Sequence, residues 1–205
     1  MANPDADIDE FAFTTEKMSN SGALFDLNKL NDVSKDTLLR IPATELAEWL
    51  HSWSQEFAPE YEYVFRDMDL LTQILDLGRE DRKPRKDLIY ARQIMTFIGY
   101  FFDESFEIED EYPEEAAADR KNILQAYLDS YDHNKIREIA VDQGYAAKPK
   151  DYKKNPEEYK GHVGHVSTVI RIALMGRSQS PDVWTIQQIM GEDKVRARIE
   201  AELNR

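Results

Sequence analysis

Apolar side chains recur with a helical period through most of the chain after Asp26. The spacing i, i+3, i+4 and i+7 predicts an amphipathic helix that ends near Phe57 and carries Leu46, Trp49, Leu50 and Trp53. The same period predicts further helices over 64–75, 88–102, 123–131 and from 136 towards Gly144. No stretch of the sequence reads convincingly as a strand. The pattern therefore predicts an all-α fold of about eight helices.

Residues 170–191, IRIALMGRSQSPDVWTIQQIMG, show an apolar run, a polar turn and a second apolar helix. Ser180 is a suitable N-cap for that second helix, and Pro181 suits its first helical position. Gly191 can adopt the left-handed conformation that ends a helix. The segment therefore predicts a compact corner between two helices.

Arg171 and Arg177 flank this corner. Guanidinium groups stack on bases and donate forked hydrogen bonds, which is what the recognition of unpaired bases in an RNA loop requires. Asp182 suits the helix dipole but repels phosphate, so this helix end is expected to touch base edges rather than the RNA backbone. The alternative for Arg171 is an ion pair with an acidic residue of the same chain.

The formal charge of −14 is distributed unevenly. Residues 133–205 carry 13 Lys and Arg against 10 Asp and Glu, which leaves −17 on residues 1–132. Within the acidic part, residues 79–92 form a basic island with six Lys and Arg against three acids. This distribution favours localised binding to a polyanion, although solvated surface charge is the simpler alternative.

Several aromatic residues could be taken for a base-stacking stripe: Tyr61, Tyr63, Tyr90, Phe97, Tyr100, Phe101 and Phe102. At helical spacing, such side chains are more typical of a hydrophobic core, because burying each one stabilises the fold by ~1.5–3 kcal/mol. They are therefore predicted to be core residues.

Two clusters invite a metal-binding interpretation. Residues 103–119 hold nine acids and no Lys or Arg, but they lack the spacing of an EF-hand loop and predict a solvated loop that repels stray RNA. His162 and His165 lie three residues apart without a third ligand nearby. No metal site and no catalytic constellation is predicted.

The chain has no cysteine, which excludes disulfides and thiol catalysis. Its apolar runs fall short of the ~20 residues needed to cross a bilayer, and its acidic N-terminus is unlike a signal peptide. A cytoplasmic location is predicted.

Two segments resemble the C-terminal anticodon-binding region of bacterial glutamyl-tRNA synthetases, which are class I aminoacyl-tRNA synthetases. The first is the corner with Arg171, Gly176 and Ser180–Pro181, followed by an ending that contains Arg196, Arg198 and Ile199. The second is residues 21–31, SGALFDLNKLN, which is similar to the SGA-x-FD-x-x-KLN segment of that family. Both occur in the family's order.

This resemblance implies two consecutive helical bundles: residues 1–22 would lead in from a missing catalytic part, with subdomains over 23–147 and 148–205. It implies a domain that holds the anticodon loop of glutamate tRNA while the absent catalytic domain attaches glutamate with ATP and Mg²⁺. The chain alone would be inactive and would hold no cofactor. Its partner would be tRNA rather than DNA or a membrane, and it would be a monomer.

The resemblance also implies site residues. Arg171 corresponds to an arginine of the family's binding surface, and Ser180, Pro181 and Val183 correspond to the turn that contacts the anticodon bases. Arg177, Arg85 and Arg92 are further expected to hold phosphates or to stack on bases.

Other functions remain open from the residues alone. Residues 17–21, KMSNS, are similar to the KMSKS loop of class I synthetases, but Asn20 replaces the second lysine, so adenylate chemistry is not expected. The corresponding region of class I lysyl-tRNA synthetase is the nearest alternative within the resemblance. A helical protein–protein interaction module and a hydrolase or metal enzyme are the alternatives outside it.

Overall fold

The computed structural model describes residues 10, 14–17 and 25–205. Eleven α-helices lie in these residues: α1 Leu27–Arg40, α2 Ala43–Phe57, α3 Met68–Asp76, α4 Ala91–Phe97, α5 Glu114–Ala117, α6 Arg120–Ser130, α7 Ile136–Asp142, α8 Pro149–Lys154, α9 Val163–Met175, α10 Val183–Met190 and α11 Glu192–Leu203. Turns of 3₁₀-helix cover Thr15–Lys17, Pro59–Phe65, Gly99–Phe101, His133–Lys135 and Pro156–Glu158. The described residues form no strand, only one isolated bridge between Ala146 and His162. The all-α prediction is confirmed, with more helices than the eight expected.

Two predicted helices are interrupted. The stretch 64–75 divides because the Asp67 side chain accepts a hydrogen bond from Leu70 N at 2.9 Å and so begins α3 as an N-cap. The stretch 88–102 divides into α4 and the 3₁₀ turn Gly99–Phe101. Apolar spacing continues across both breaks, so periodicity alone does not locate them.

Residues 148–156 carry four lysines and two prolines, a composition typical of a linker, but they contain α8. Pro149 occupies a first-turn position of this helix, where its missing N–H removes no helical hydrogen bond. Such a composition does not exclude a helix, because proline begins a helix as readily as it ends one.

Helix α9 is a central helix that packs on α5, α6, α7 and α11. Its residues are fully or almost fully buried at Val166, Val169, Ile170, Ile172, Ala173, Leu174 and Met175. A helix that is apolar on nearly every side must be surrounded by other elements. Helices from both sides of residue 148 surround α9, and the subdomain division at that residue remains a proposal.

Arg198 on α11 connects distant parts of the chain. Its buried guanidinium donates to the carbonyl oxygens of Leu174, at 2.6 Å, and of Tyr100, and to Asp103 at 3.1 Å. The guanidinium carbon also lies 3.9 Å from the centroid of the Phe106 ring. Arg198 therefore stabilises the packing of α11 against these segments.

The predicted core aromatics divide into two groups. Tyr100, Phe101 and Phe102 are buried, and the partly buried residues Tyr61, Tyr63 and Phe97 pack against the core. Tyr90 is the exception: 56% of its surface is exposed.

Residues 18–24, which carry most of the KMSNS and SGAL segments, lie outside the described residues, as does most of the predicted lead-in. Within the residues that the structure describes, every helix is too short or too polar to span a bilayer.

Candidate nucleic-acid interface

The corner between α9 and α10 is formed by residues 176–182. Helix α9 ends at Gly176, whose φ of 72° places it in the left-handed region. Helix α10 begins at Val183 because the Asp182 side chain accepts a hydrogen bond from Thr185 N at 2.8 Å and caps the helix. The prediction that Ser180 is the N-cap and Pro181 the first helical residue was wrong. Both Ser and Asp are good N-caps, and here the serine hydroxyl has other partners.

Arg171 holds this corner from the side of α9. Its Nε donates to Ser180 Oγ at 3.1 Å, and its Nη1 donates to the Ser178 carbonyl at 3.3 Å. Partial burial lowers the pKa of Arg171, while the nearby charge of Asp182 opposes that shift. Among residues 25–205, no carboxylate forms an ion pair with Arg171, so the alternative role as a salt-bridge residue finds no support.

A groove of about 380 Å³ runs beside the corner, and we call it the corner groove. One wall is the loop 78–87 of the basic island, and the other consists of residues 179–182, with Phe97 between them. The groove brings together Ser180, Pro181 and Arg85, which the sequence separates by about 95 positions. Val183 does not line it and packs against the core instead.

The Arg85 side chain is hydrogen-bonded within its own loop. Its guanidinium makes a forked pair with Asp87, at 2.6 and 3.1 Å, and donates to the Leu77 carbonyl at 3.3 Å. Only 9% of its side chain is exposed, and it lies 5.2 Å from the Phe97 ring centroid. Three of its N–H donors are therefore bound within the protein, and the expectation that Arg85 holds a phosphate or stacks on a base stays a prediction.

Lys83 is the cation that sequence reasoning missed on this wall. It is exposed, lines the corner groove, and has no ion-pair partner among the described residues. Its position beside Pro84, in the middle of a basic island, is the signal that could have indicated an outward-facing turn residue.

A second opening, of about 470 Å³, adjoins the corner groove, and we call it the tyrosine cavity. It is lined by Tyr90, Arg92, Gln93, Thr96, Phe97 and Arg177. Phe97 lines both openings, so they share one wall. The predicted site residues Arg92 and Arg177 thus lie together in this cavity, to which the corner contributes Arg177.

Both arginines of the tyrosine cavity are held by the protein. Arg177 donates to the carbonyls of Thr96 and Phe97, each at 3.3 Å, and pairs with Glu109 at 2.6 Å. Arg92 pairs with Glu60 at 3.1 Å.

Residues 107–110 of the acidic run form a strap across the corner, which we call the acidic strap. The backbone N–H groups of Glu109 and Asp110 both donate to the Gly176 carbonyl at 2.9 Å. The Asp110 carboxylate accepts from Ser178 N at 2.7 Å and Ser178 Oγ at 2.6 Å, and these bonds lower the pKa of Asp110. The prediction of a purely solvated loop was therefore wrong for this segment, because its acids bind the corner.

The histidine pair has a structural role. The His162 ring accepts from Gly164 N at 3.0 Å and caps α9, while it stacks on His165 with 3.9 Å between centroids. Burial lowers the pKa of His162. No group of three potential metal ligands comes together in the part of the chain that the structure describes.

The sequence of this chain is similar to those of known proteins over nearly its whole length. The profile of a family described as anticodon binding domain matches residues 45–203, which contain the corner, the groove and the cavity. The chain is 58% identical to the glutamate–tRNA ligase of Acetivibrio thermocellus, over 97% of this chain and 38% of that protein. It is 41% identical to that of Clostridium perfringens strain 13 and 34% identical to that of Sorangium cellulosum, over 96% and 97% of this chain and 39% and 37% of those proteins.

The chain therefore spans well under half the length of the curated relatives it matches. The family match itself covers most of the chain, from α2 to α11. The chain belongs to the family of anticodon binding domains.

Proposed function

We propose that this chain recognises the anticodon loop of glutamate tRNA as part of a glutamate–tRNA ligase. The observation that carries the proposal is the corner groove, where Ser180 and Pro181 face the basic-island loop across about 380 Å³. A groove of this kind with hydrogen-bonding walls suits an unpaired base, which RNA-binding proteins recognise by its exposed edges and its flat faces.

The chemistry of the groove favours contact with base edges. Asp81 and Asp182 line it beside Lys83, so carboxylate acceptors and an ammonium donor lie around one opening. Carboxylates repel phosphate but accept hydrogen bonds from exocyclic amino groups such as that of cytosine. Arg171 supports the groove by fixing Ser178 and Ser180, and Lys83 is available to a phosphate at the rim.

In this proposal, residues outside this chain catalyse the attachment of glutamate to tRNA. We place ATP, Mg²⁺ and the transfer of glutamate with a catalytic domain outside this chain, and we expect the chain alone to bind RNA without catalysing aminoacylation. We also expect it to act in the cytoplasm as a monomer, with tRNA rather than DNA or a membrane as its partner.

The test is a titration of the purified chain with glutamate tRNA, with variants of its anticodon and with an unrelated tRNA at one fixed salt concentration. We expect glutamate tRNA to bind tightest and each anticodon substitution to weaken binding, because mismatched base contacts are lost. Equal affinity for all three kinds of RNA would refute anticodon recognition. A helical protein-interaction module would show no affinity that falls as salt rises.

A further inference from the structure

The tyrosine cavity is a second opening next to the corner groove, and the anticodon contacts proposed above do not require it. Its volume of about 470 Å³ exceeds that of the groove, and it is open to solvent at Tyr90. The inference drawn from it rests on the proposed function, since it concerns the same RNA loop.

Tyr90 presents a large aromatic surface to solvent. It is 56% exposed, and its ring has no aromatic partner among the described residues. Single exposed apolar side chains are common, but this one lines a cavity. An aromatic ring at such a position is a surface on which a nucleobase can stack, whatever its sequence.

The charge around the cavity favours a base over a phosphate. Arg92 pairs with Glu60, and Arg177 pairs with Glu109, so each guanidinium has a carboxylate beside it. An Arg guanidinium carries five N–H donors, and these pairs leave donors of both arginines for the polar edge of a base. The local net charge is close to neutral, which gives little attraction for a phosphate.

The shared wall connects the two openings. Phe97 lines both, so the corner groove and the tyrosine cavity are close enough for two bases of one RNA loop. We infer that the tyrosine cavity binds a second unpaired base of the same RNA loop, stacked on Tyr90 with its polar edge towards Arg92 and Arg177.

The test uses the full chain and the anticodon stem-loop of glutamate tRNA, with the fluorescent base 2-aminopurine placed at each loop position in turn. Stacking quenches this fluorophore, so each position reports its own environment. We expect two groups of positions to respond: one that depends on Arg171 and another that depends on Tyr90.

Substitutions at Tyr90 identify the second position. Tyr90→Ala should weaken binding about 5- to 150-fold, as a stack worth ~1–3 kcal/mol per base implies, and should abolish the response at one loop position. Tyr90→Phe keeps the ring and should restore both affinity and response. Trp49→Ala is the matched control, because Trp49 is an aromatic residue that is 47% exposed and does not line the cavity.

Two outcomes overturn the inference alone: specific binding that Tyr90→Ala leaves unchanged, or a Tyr90→Ala effect spread equally over all loop positions. The first means that the ring contacts no base, and the second means that it acts on the fold rather than on one nucleotide. If the unaltered chain binds this stem-loop no better than one with a scrambled loop, the proposed function fails and the inference fails with it.

Discussion

At Arg171, one guanidinium donates to the Ser178 carbonyl and to the Ser180 hydroxyl, so this side chain shapes the turn that forms the groove wall. We expect Arg171→Ala to weaken glutamate tRNA binding by about 1–3 kcal/mol, because the groove wall loses the two hydrogen bonds that hold it in place. It should also lower the free energy of unfolding by about 1 kcal/mol, because two hydrogen bonds from a partly buried charged donor disappear. Filter binding at fixed salt and urea unfolding measure the two effects.

Ser180→Ala is the matched control for Arg171→Ala. It removes the hydroxyl that accepts from Arg171 Nε but leaves the guanidinium bound to Ser178. We expect a smaller loss of tRNA affinity than with Arg171→Ala. Unchanged affinity after Arg171→Ala would remove Arg171 from the interface.

Asp110 makes the corner sensitive to pH. The hydroxyl of Ser178, with its N–H, holds the pKa of Asp110 below the ordinary carboxyl value of about 4. Ionised Asp110 therefore stabilises the folded state above that pH, and its contribution is lost as pH falls through the lower folded-state pKa. We expect Asp110→Asn to be less stable than the unaltered chain at neutral pH, with a difference that shrinks below about pH 4.

Urea unfolding at a series of pH values measures this difference. Glu111→Gln removes a charge from the next residue, which is exposed, and leaves the Ser178 bonds intact. A difference for Asp110→Asn that stays constant with pH, or one that Glu111→Gln reproduces, would show that the Ser178 bonds do not set it.

The placement of Arg171, Arg177, Ser180 and Pro181 around one corner could be predicted from the sequence, because the corner is local and its residue types are distinctive. Tyr90 and Asp110 could not. Asp110 meets Ser178 across 68 positions of sequence, and the exposure of Tyr90 depends on how α4 packs. Helical spacing shows that a side chain lies on one face of a helix but not which neighbour covers that face.

The two glycines that end α9 and α10 have different surroundings. Gly176 and Gly191 have φ angles of 72° and 81°, which L residues rarely adopt. A methyl group at Gly176 would overlap the Glu107 carbonyl oxygen of the acidic strap, whereas one at Gly191 meets no atom within 4 Å. We expect Gly191→Ala to destabilise the fold by about 1–3 kcal/mol through backbone strain alone.

Gly176→Ala should destabilise the fold by more than Gly191→Ala, because the acidic strap must also move. Urea unfolding of both variants gives the comparison, and glutamate tRNA binding should fall only for Gly176→Ala. Equal losses of stability for the two variants would mean that displacing the acidic strap costs no free energy, and that the strap does not stabilise the corner.

The helical structure and approximate positions of α2, α6 and α7 could be predicted, because these helices follow long or well-bounded apolar patterns. The helix starts at Asp67 and Asp182 and the short helix α8 could not, because several residues in each segment are equally good caps or breakers. The role of the acidic strap depends on contacts with the end of α9, and composition does not reveal such contacts.

The whole molecule carries its negative charge in the first part of the chain, with −17 on residues 1–132. Many acids there are used internally: Asp119 pairs with Lys160, Glu109 with Arg177 and Asp103 with Arg198. The remaining acids give a surface that repels RNA backbones. We therefore expect this domain to bind RNA through few phosphate contacts and to draw its specificity from contacts with bases.

A substitution of Lys83 tests whether this chain makes few phosphate contacts, because Lys83 is the exposed cation on the wall of the corner groove. For single strands, the slope of log affinity against log salt is about −0.7 for each phosphate neutralised. We expect a shallow slope for the unaltered chain and a reduction of about 0.7 in its magnitude for Lys83→Gln, with affinity lost equally for all anticodon variants. Lys121→Gln, at an exposed lysine of α6 that does not line the groove, should leave the slope unchanged. A steep slope that neither substitution alters would mean that many other phosphates are bound, and that the negative charge of the chain does not limit its contact with RNA.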